Sequence, residues 1–147
     1  MNNAINFSFT FYKNSRPKII WLFGIFIKPK LMPKTQYRIY VVELSKKVFT
    51  EHRRFREANP QFNGVLECLY VGMTSKTPKE RFQQHKTGYR NKKGYKISSN
   101  IVQQYGSYLR PSLYNHIDPL STRRKALEME RKLALELRRK KYAVWFN

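Results

Sequence analysis

The sequence predicts an α/β fold of the α+β kind, in which a small, mostly antiparallel central sheet is flanked by helices in the order β-β-α-β-α. Two segments rich in β-branched and aromatic residues predict neighbouring strands, YRIYVVEL at 37–44 and VLECLYVG at 65–72. A complete helix-start signal follows the second strand, and an amphipathic segment from about Thr122 to Lys140 predicts a long helix. The length of 147 residues suits one domain with a real core, which we assign to residues 37–147.

The two predicted strands each carry a tyrosine. Alternation along the first strand places Arg38, Tyr40 and Val42 on one face of the sheet. The second strand carries Tyr70 and is expected to pair with the first. A polar, basic connection at 45–64, partly compatible with helix, separates the strands and ends in turn signals.

A helix is predicted directly after the second strand. Thr77 is a good N-cap, Pro78 suits the first helical position, and Glu80 stands where a capping box requires an acid. Gly88 is placed to end the helix as a C-cap glycine.

Arg81 and His85 lie four residues apart on this helix and therefore share a face. A guanidinium beside an imidazole is a poor structural pair but a sensible clamp for a phosphate. The alternative is a solvated basic face, and the spacing alone does not separate the two interpretations.

Four shorter elements complete the predicted order. A basic, glycine-punctuated loop is expected at 88–96, a short helix within 97–106, an extended segment at 107–117 that is broken by Pro111, and a final strand at 142–146.

Glu130 is out of place on the long helix. At about 100° per residue it falls in the middle of the apolar stripe, close to Ala126, Ala134 and Leu137. A carboxylate on the face that meets the sheet costs desolvation energy unless a cation, a metal or strong donors meet it. It is therefore a candidate functional acid, the alternative being an edge position paired with an arginine.

The charge of the chain predicts a polyanionic partner. Thirty Lys and Arg residues face nine Asp and Glu residues, which gives a formal net charge of +21. Nucleic acid is the first candidate, ahead of a membrane surface or an acidic protein. The candidate phosphate contacts are Arg90, Lys92 and Lys93 in the basic loop and Arg53 and Arg54 in EHRRFRE, with Tyr89, Tyr95 and Phe55 available for stacking on bases.

Cysteine and histidine usage points away from disulfides and zinc. Cys68 is the only cysteine and lies in an apolar run, which indicates a buried structural thiol. The three histidines are far apart in the sequence and show no metal-ligand spacing.

Residues 1–36 form a basic and apolar segment of unknown role. Its apolar run, Ile19 to Ile27, is too short to span a bilayer as a helix. The run resembles a signal-peptide core but lacks a small-residue cleavage site. A functional start at Met32 is a further interpretation, and we expect a cytoplasmic protein without stable membrane insertion.

Taken together, these residues resemble the GIY-YIG nuclease family over 37–145. The first strand occupies the place of the GIY strand, although Arg38 replaces the glycine, and YVG at 70–72 stands for YIG. The ordered set that carries the resemblance is Tyr40, Tyr70, Arg81, His85 and Glu130.

Two further departures from the family pattern matter. The connection at 45–64 is longer than the family minimum, which suggests a substrate-specific insertion. The family's asparagine after the glutamate helix has no clear counterpart, because Tyr142 stands near its place and Asn147 is late.

The resemblance implies a metal-dependent DNA endonuclease that hydrolyses phosphodiester bonds and needs no small-molecule cofactor. Glu130 and water would hold one Mg²⁺ or Mn²⁺, and Arg81 would bind the scissile phosphate. Tyr40 or Tyr70 would orient or deprotonate the attacking water, and His85 would tune that tyrosine or shuttle a proton. The alternatives are a non-catalytic nucleic-acid-binding module on the same scaffold and a basic structural or ribosome-associated protein.

Overall fold

The computed structural model describes residues 35–146, together with the backbone of two short strands near the N-terminus, β1 (Trp21–Leu22) and β2 (Ile25–Phe26). These two strands pair antiparallel. The chain divides into two compact units, Met1–Pro33 and Lys34–Asn147. The other interpretations of the N-terminal segment, including a start at Met32, lie outside the described residues.

The second unit contains a four-stranded mixed sheet with the order β5-β3-β4-β6. The strand β3 pairs antiparallel with both β4 and β5, whereas β4 and β6 are parallel. This confirms the predicted α+β class with a mostly antiparallel sheet. The elements in chain order are β3 (Arg38–Leu44), α1 (Lys47–Glu51), α2 (Arg53–Glu57), β4 (Cys68–Thr74), α3 (Pro78–Lys86), α4 (Asn100–Tyr105), β5 (Gly106–Leu109), a 3₁₀ turn (Pro111–Leu113), α5 (Arg123–Arg139) and β6 (Ala143–Trp145).

The two central strands are buried on both faces. Tyr40 lies opposite Gly72 and Val42 lies opposite Tyr70, so these side chains share one face. Val41 lies opposite Val71 on the other face. Side chains on both faces are buried, which places the core on either side of the sheet.

Two boundaries differ from the prediction. The second strand begins at Cys68 instead of Val65, because Val65 lies in a bend with 73% of its surface exposed. The predicted extended segment at 107–117 stops at Leu109, and Pro111 then opens a 3₁₀ turn. The connection at 45–64 is partly helical, as predicted, and contains the two short helices α1 and α2.

The helix α5 has the predicted amphipathic pattern and packs against β3, β4 and β6. No helix in the described part of the chain is both long and apolar enough to cross a membrane. The buried positions of α5 are Ala126, Glu130, Leu133, Ala134 and Leu137.

Candidate active site

The start of α3 is fixed by the predicted capping box. The hydroxyl of Thr77 accepts from the backbone N–H of Glu80 at 3.2 Å, and the Glu80 carboxylate accepts from the backbone N–H of Thr77 at 2.9 Å. Pro78 occupies the first helical position, and Gly88 follows the helix with a φ of +66°. Because both ends are set locally, the helix holds Arg81 and His85 at fixed positions over the sheet.

Gly72 makes room for the tyrosine on the neighbouring strand. A Cβ atom at this position would lie 2.6 Å from the Tyr40 hydroxyl and 2.8 Å from Cε1 of Tyr70. Any side chain here would therefore push both rings aside, because such separations are well inside van der Waals contact. The glycine of the YVG sequence lets the Tyr40 ring lie across β4.

A chain of hydrogen bonds connects Tyr40, His85 and the backbone of Ser99. The Tyr40 hydroxyl lies 2.7 Å from Nε2 of His85, and Nδ1 of His85 accepts from the Ser99 N–H at 2.7 Å. An N–H is always a donor, so Nδ1 carries no proton. In the neutral ring Nε2 carries the proton, and this N–H group donates a hydrogen bond to the Tyr40 oxygen.

Burial holds both side chains in their neutral forms. The pKa of His85 is lowered to about 4 by burial and by the nearby positive charge of Arg81. The pKa of Tyr40 is raised well above its usual value, mainly by burial and also by Tyr70, while Arg81 opposes the rise. At neutral pH this pair is an uncharged hydrogen-bonded unit.

A cleft of about 260 Å³ opens in front of this pair. Tyr70, Arg81 and His85 line it, together with Trp145. The Tyr70 ring lies 5.7 Å from the His85 ring and 6.1 Å from the Tyr40 ring, measured between centroids. The structure therefore brings four of the five predicted catalytic residues together, three along the cleft and Tyr40 in contact with His85.

Arg81 is half-buried and is held by neutral partners. Its guanidinium donates to the carbonyl of Ile97 at 2.8 Å and to the side-chain oxygen of Gln84 at 3.2 Å. Since neither partner is charged, neither cancels the positive charge of Arg81. The guanidinium is thereby oriented on the cleft wall and suited to receive an anion.

Glu130 is buried as the pattern predicts, with 3% of its surface exposed. No other carboxylate side chain in the described residues is buried. It lies on α5, which packs against the Tyr70 strand, but it is not among the residues that line the cleft.

The described residues contain no cluster of three or more His, Cys, Asp and Glu side chains that could hold a metal. Mg²⁺ commonly binds through one or two carboxylates and keeps several waters. A single glutamate is compatible with that donor set by its chemistry, but Glu130 is buried and does not line the cleft.

No family model, curated protein or solved structure matches this chain in comparisons of its sequence and fold. A functional assignment therefore depends on the residues of the cleft and on their chemistry.

The basic loop forms a small, ordered hairpin beside the cleft. Arg90 pairs with Lys96 across it, and the Asn91 side chain accepts from the backbone N–H groups of Lys93 and Tyr95, both at 3.0 Å. Ile97, at the end of the hairpin, accepts the bond from Arg81.

The cations and aromatic rings of the hairpin face solvent. Arg90, Lys92 and Lys93 are exposed, as are Tyr95 with 68% and Tyr89 with 42% of their surfaces. These five predicted nucleic-acid contacts are therefore accessible to a partner.

The second predicted basic group, on α2, is only partly available. Arg53 and Arg54 are exposed, but Arg53 is paired with Glu57 at 2.7 Å. The prediction that Phe55 is available for stacking on bases is wrong, because Phe55 is fully buried and stacks on Trp145 with centroids 6.2 Å apart. Its side of α2 faces β6, which the sequence of α2 alone does not reveal.

Cys68 is buried at the start of β4, as predicted. Burial raises the pKa of its thiol to about 11. The thiol is therefore protonated at neutral pH and is suited to packing instead of nucleophilic chemistry.

Sequence reasoning missed six residues of the cleft, which are Ile97, Ser98, Ser99, Asn100, Ile101 and Trp145. Trp145 reaches it because parallel pairing places Trp145 beside Tyr70. Asn100 also lines the cleft, and its side-chain oxygen accepts from Lys96. The Ser98 hydroxyl is buried there without a hydrogen-bond partner in the described structure. No local pattern marks these positions, since each arrives through tertiary packing.

Proposed function

We propose that this chain is a metal-dependent DNA endonuclease that hydrolyses phosphodiester bonds. The observation that carries the proposal is the cleft that Tyr70, the oriented guanidinium of Arg81 and the buried His85 line together. A cationic cleft with a positioned tyrosine suits attack of water on a phosphodiester. The surplus of positive charge and the exposed basic hairpin support DNA as the partner.

Arg81 binds the scissile phosphate in this proposal. Its half-buried guanidinium is oriented by two neutral acceptors, the Gln84 side chain on α3 and the Ile97 carbonyl at the end of the hairpin. A cation held in this way needs little reorganisation when negative charge develops in the transition state.

Tyr70 is the tyrosine that orients the attacking water. Tyr70 lines the cleft and Tyr40 does not, although both side chains are only 1% exposed. Tyr40 is hydrogen-bonded to His85, and its pKa is raised well above the usual value by burial. His85 then acts on Tyr40 as a neutral hydrogen-bond donor. A proton shuttle through His85 is disfavoured near neutral pH, since its pKa is about 4.

Glu130 would hold the magnesium ion, which when bound supplies Lewis-acid stabilisation of the phosphate and of the leaving oxygen. Its carboxylate chemistry and its position on a helix that packs against β4, the strand that carries Tyr70, support this role. We propose that Asn100, a neutral polar side chain on the cleft wall, stands in for the family asparagine.

The test is cleavage of plasmid and branched DNA with Mg²⁺ or Mn²⁺, comparing wild type with Glu130→Gln and Arg81→Ala. We expect Glu130→Gln to lose cleavage and to keep DNA affinity, and Arg81→Ala to lose cleavage. Glu128→Gln is the matched control, because Glu128 is exposed on the same helix and is paired with Arg124. Absence of cleavage by wild type on every DNA form would contradict the nuclease proposal.

A non-catalytic DNA-binding module is the second candidate. It is favoured by one observation, that Glu130 is not among the residues lining the cleft. The two candidates separate in the same assay, since a binding module retains DNA affinity but shows no metal-dependent cleavage. In either case we expect a cytoplasmic protein without a small-molecule cofactor.

A further inference from the structure

A second cleft shares Arg81 and Ile97 with the first. Its volume is about 320 Å³. It opens where the end of β4 and the turn after it meet the start of α5. Its lining includes Tyr37, Thr74, Lys76, Arg81, Ile97 and Arg123.

The charge of this cleft is positive. Lys76, Arg81 and Arg123 line it, and none of its lining residues is acidic. Three cations around one concave surface attract an anion. Lys76 and Arg123 are both exposed, so their side chains can close on a ligand without repacking the core.

Arg81 and Ile97 line both clefts. The hydrogen bond from the Arg81 guanidinium to the Ile97 carbonyl therefore lies at the boundary between them. A polymer whose phosphates follow one another along a backbone can occupy both clefts at once, whereas a single small anion fills only one.

We propose that the second cleft binds the backbone phosphate next to the scissile phosphate on the same DNA strand. Lys76 and Arg123 contact this neighbouring phosphate, and Arg81 lies between the neighbouring phosphate and the scissile phosphate. The inference rests on the proposed function of the first cleft. It adds a binding site that holds the strand in register with the cleavage site.

The experiment measures binding of a single-stranded DNA oligonucleotide by fluorescence anisotropy, without divalent metal so that no cleavage occurs. Each phosphate is replaced in turn by a neutral methylphosphonate. For wild type we expect the replacement at one position to weaken binding about tenfold, as removal of a charge-assisted hydrogen bond does.

The variants Lys76→Ala and Arg123→Ala test the assignment. Each variant should bind the natural oligonucleotide more weakly than wild type does. The methylphosphonate that weakens binding by wild type should have a much smaller effect on binding by either variant. The matched controls are Lys79→Ala and Arg124→Ala, which remove exposed cations from α3 and α5 outside the cleft lining. The controls should keep the wild-type methylphosphonate pattern.

The outcomes separate this inference from the proposed function. If Arg123→Ala and Lys76→Ala show the same methylphosphonate pattern as wild type, the second cleft is not a phosphate site, even where cleavage is observed. If the two variants change the methylphosphonate pattern but wild type shows no cleavage with metal, the phosphate-binding site is supported and the nuclease proposal fails. Absence of any DNA binding overturns both.

Discussion

The hydroxyl oxygen of Tyr40 lies 2.7 Å from Nε2 of His85, and the far side of the His85 ring accepts a bond from the Ser99 backbone. This arrangement uses both ring nitrogens of a fully buried imidazole. It links β3, α3 and the start of α4 through one side chain, and it makes the hydroxyl of Tyr40 a hydrogen-bond acceptor.

We expect the stability of the protein to fall between pH 6.5 and 4 because of His85. Its folded-state pKa of about 4 is below the unfolded value of 6.5, so the unfolded state binds the proton first as the pH falls. Full stability is present above pH 6.5 and about 3 kcal/mol is lost by pH 4. Chemical denaturation of wild type and His85→Gln over this range measures the effect.

His116→Gln is the control for this pH dependence, because it removes an exposed imidazole. Its stability should follow the wild-type curve with pH, whereas His85→Gln should show a smaller loss. Parallel curves for wild type and His85→Gln would contradict the assignment of the pH dependence to His85.

Removal of the two tyrosine hydroxyls should have different consequences. Tyr40→Phe leaves the N–H of His85 without its acceptor and should cost about 1–3 kcal/mol of unfolding free energy. Tyr70→Phe should lower the cleavage rate about 100-fold or more, as loss of a group that handles the attacking water does. Denaturant titration and single-turnover cleavage measure the two effects. An equal loss of cleavage in both variants would argue against Tyr70 as the residue that orients the water.

Gly72→Ala should destabilise the protein through the two tyrosine rings. The added Cβ would meet Tyr40 at 2.6 Å and Tyr70 at 2.8 Å, so the rings must move and the cost should be about 1–3 kcal/mol. A double-mutant cycle with Tyr40→Ala checks the cause, because the alanine at position 72 should cost less when the Tyr40 ring is absent. Additive effects would show that the strain lies elsewhere.

The hairpin cations should carry part of the salt dependence of DNA binding. Lys92→Ala combined with Lys93→Ala removes two exposed charges from the hairpin. The slope of log affinity against log salt should become shallower by about 0.9 for each phosphate that the protein no longer neutralises. The control Arg131→Ala with Lys132→Ala removes two exposed charges from α5 and should change the slope less. Equal changes in both double variants would indicate a general effect of net charge.

The sequence alone determined the features that depend on neighbouring residues. The capping box at Thr77 and Glu80 was predictable because its hydrogen bonds join residues three positions apart. The burial of Glu130 was predictable because helical periodicity decides which side chains share a face. The strands carrying Tyr40 and Tyr70 followed from composition and alternation.

Only the tertiary structure decided which of these residues meet. The Ser99 backbone N–H determines which nitrogen of His85 carries the proton. Parallel pairing of β6 with β4 places Trp145 beside Tyr70. Packing of α2 against β6 buries Phe55 on Trp145. Each of these arrangements joins segments far apart in the chain. Local sequence patterns do not predict these arrangements, because strand register and side-chain packing depend on the whole core.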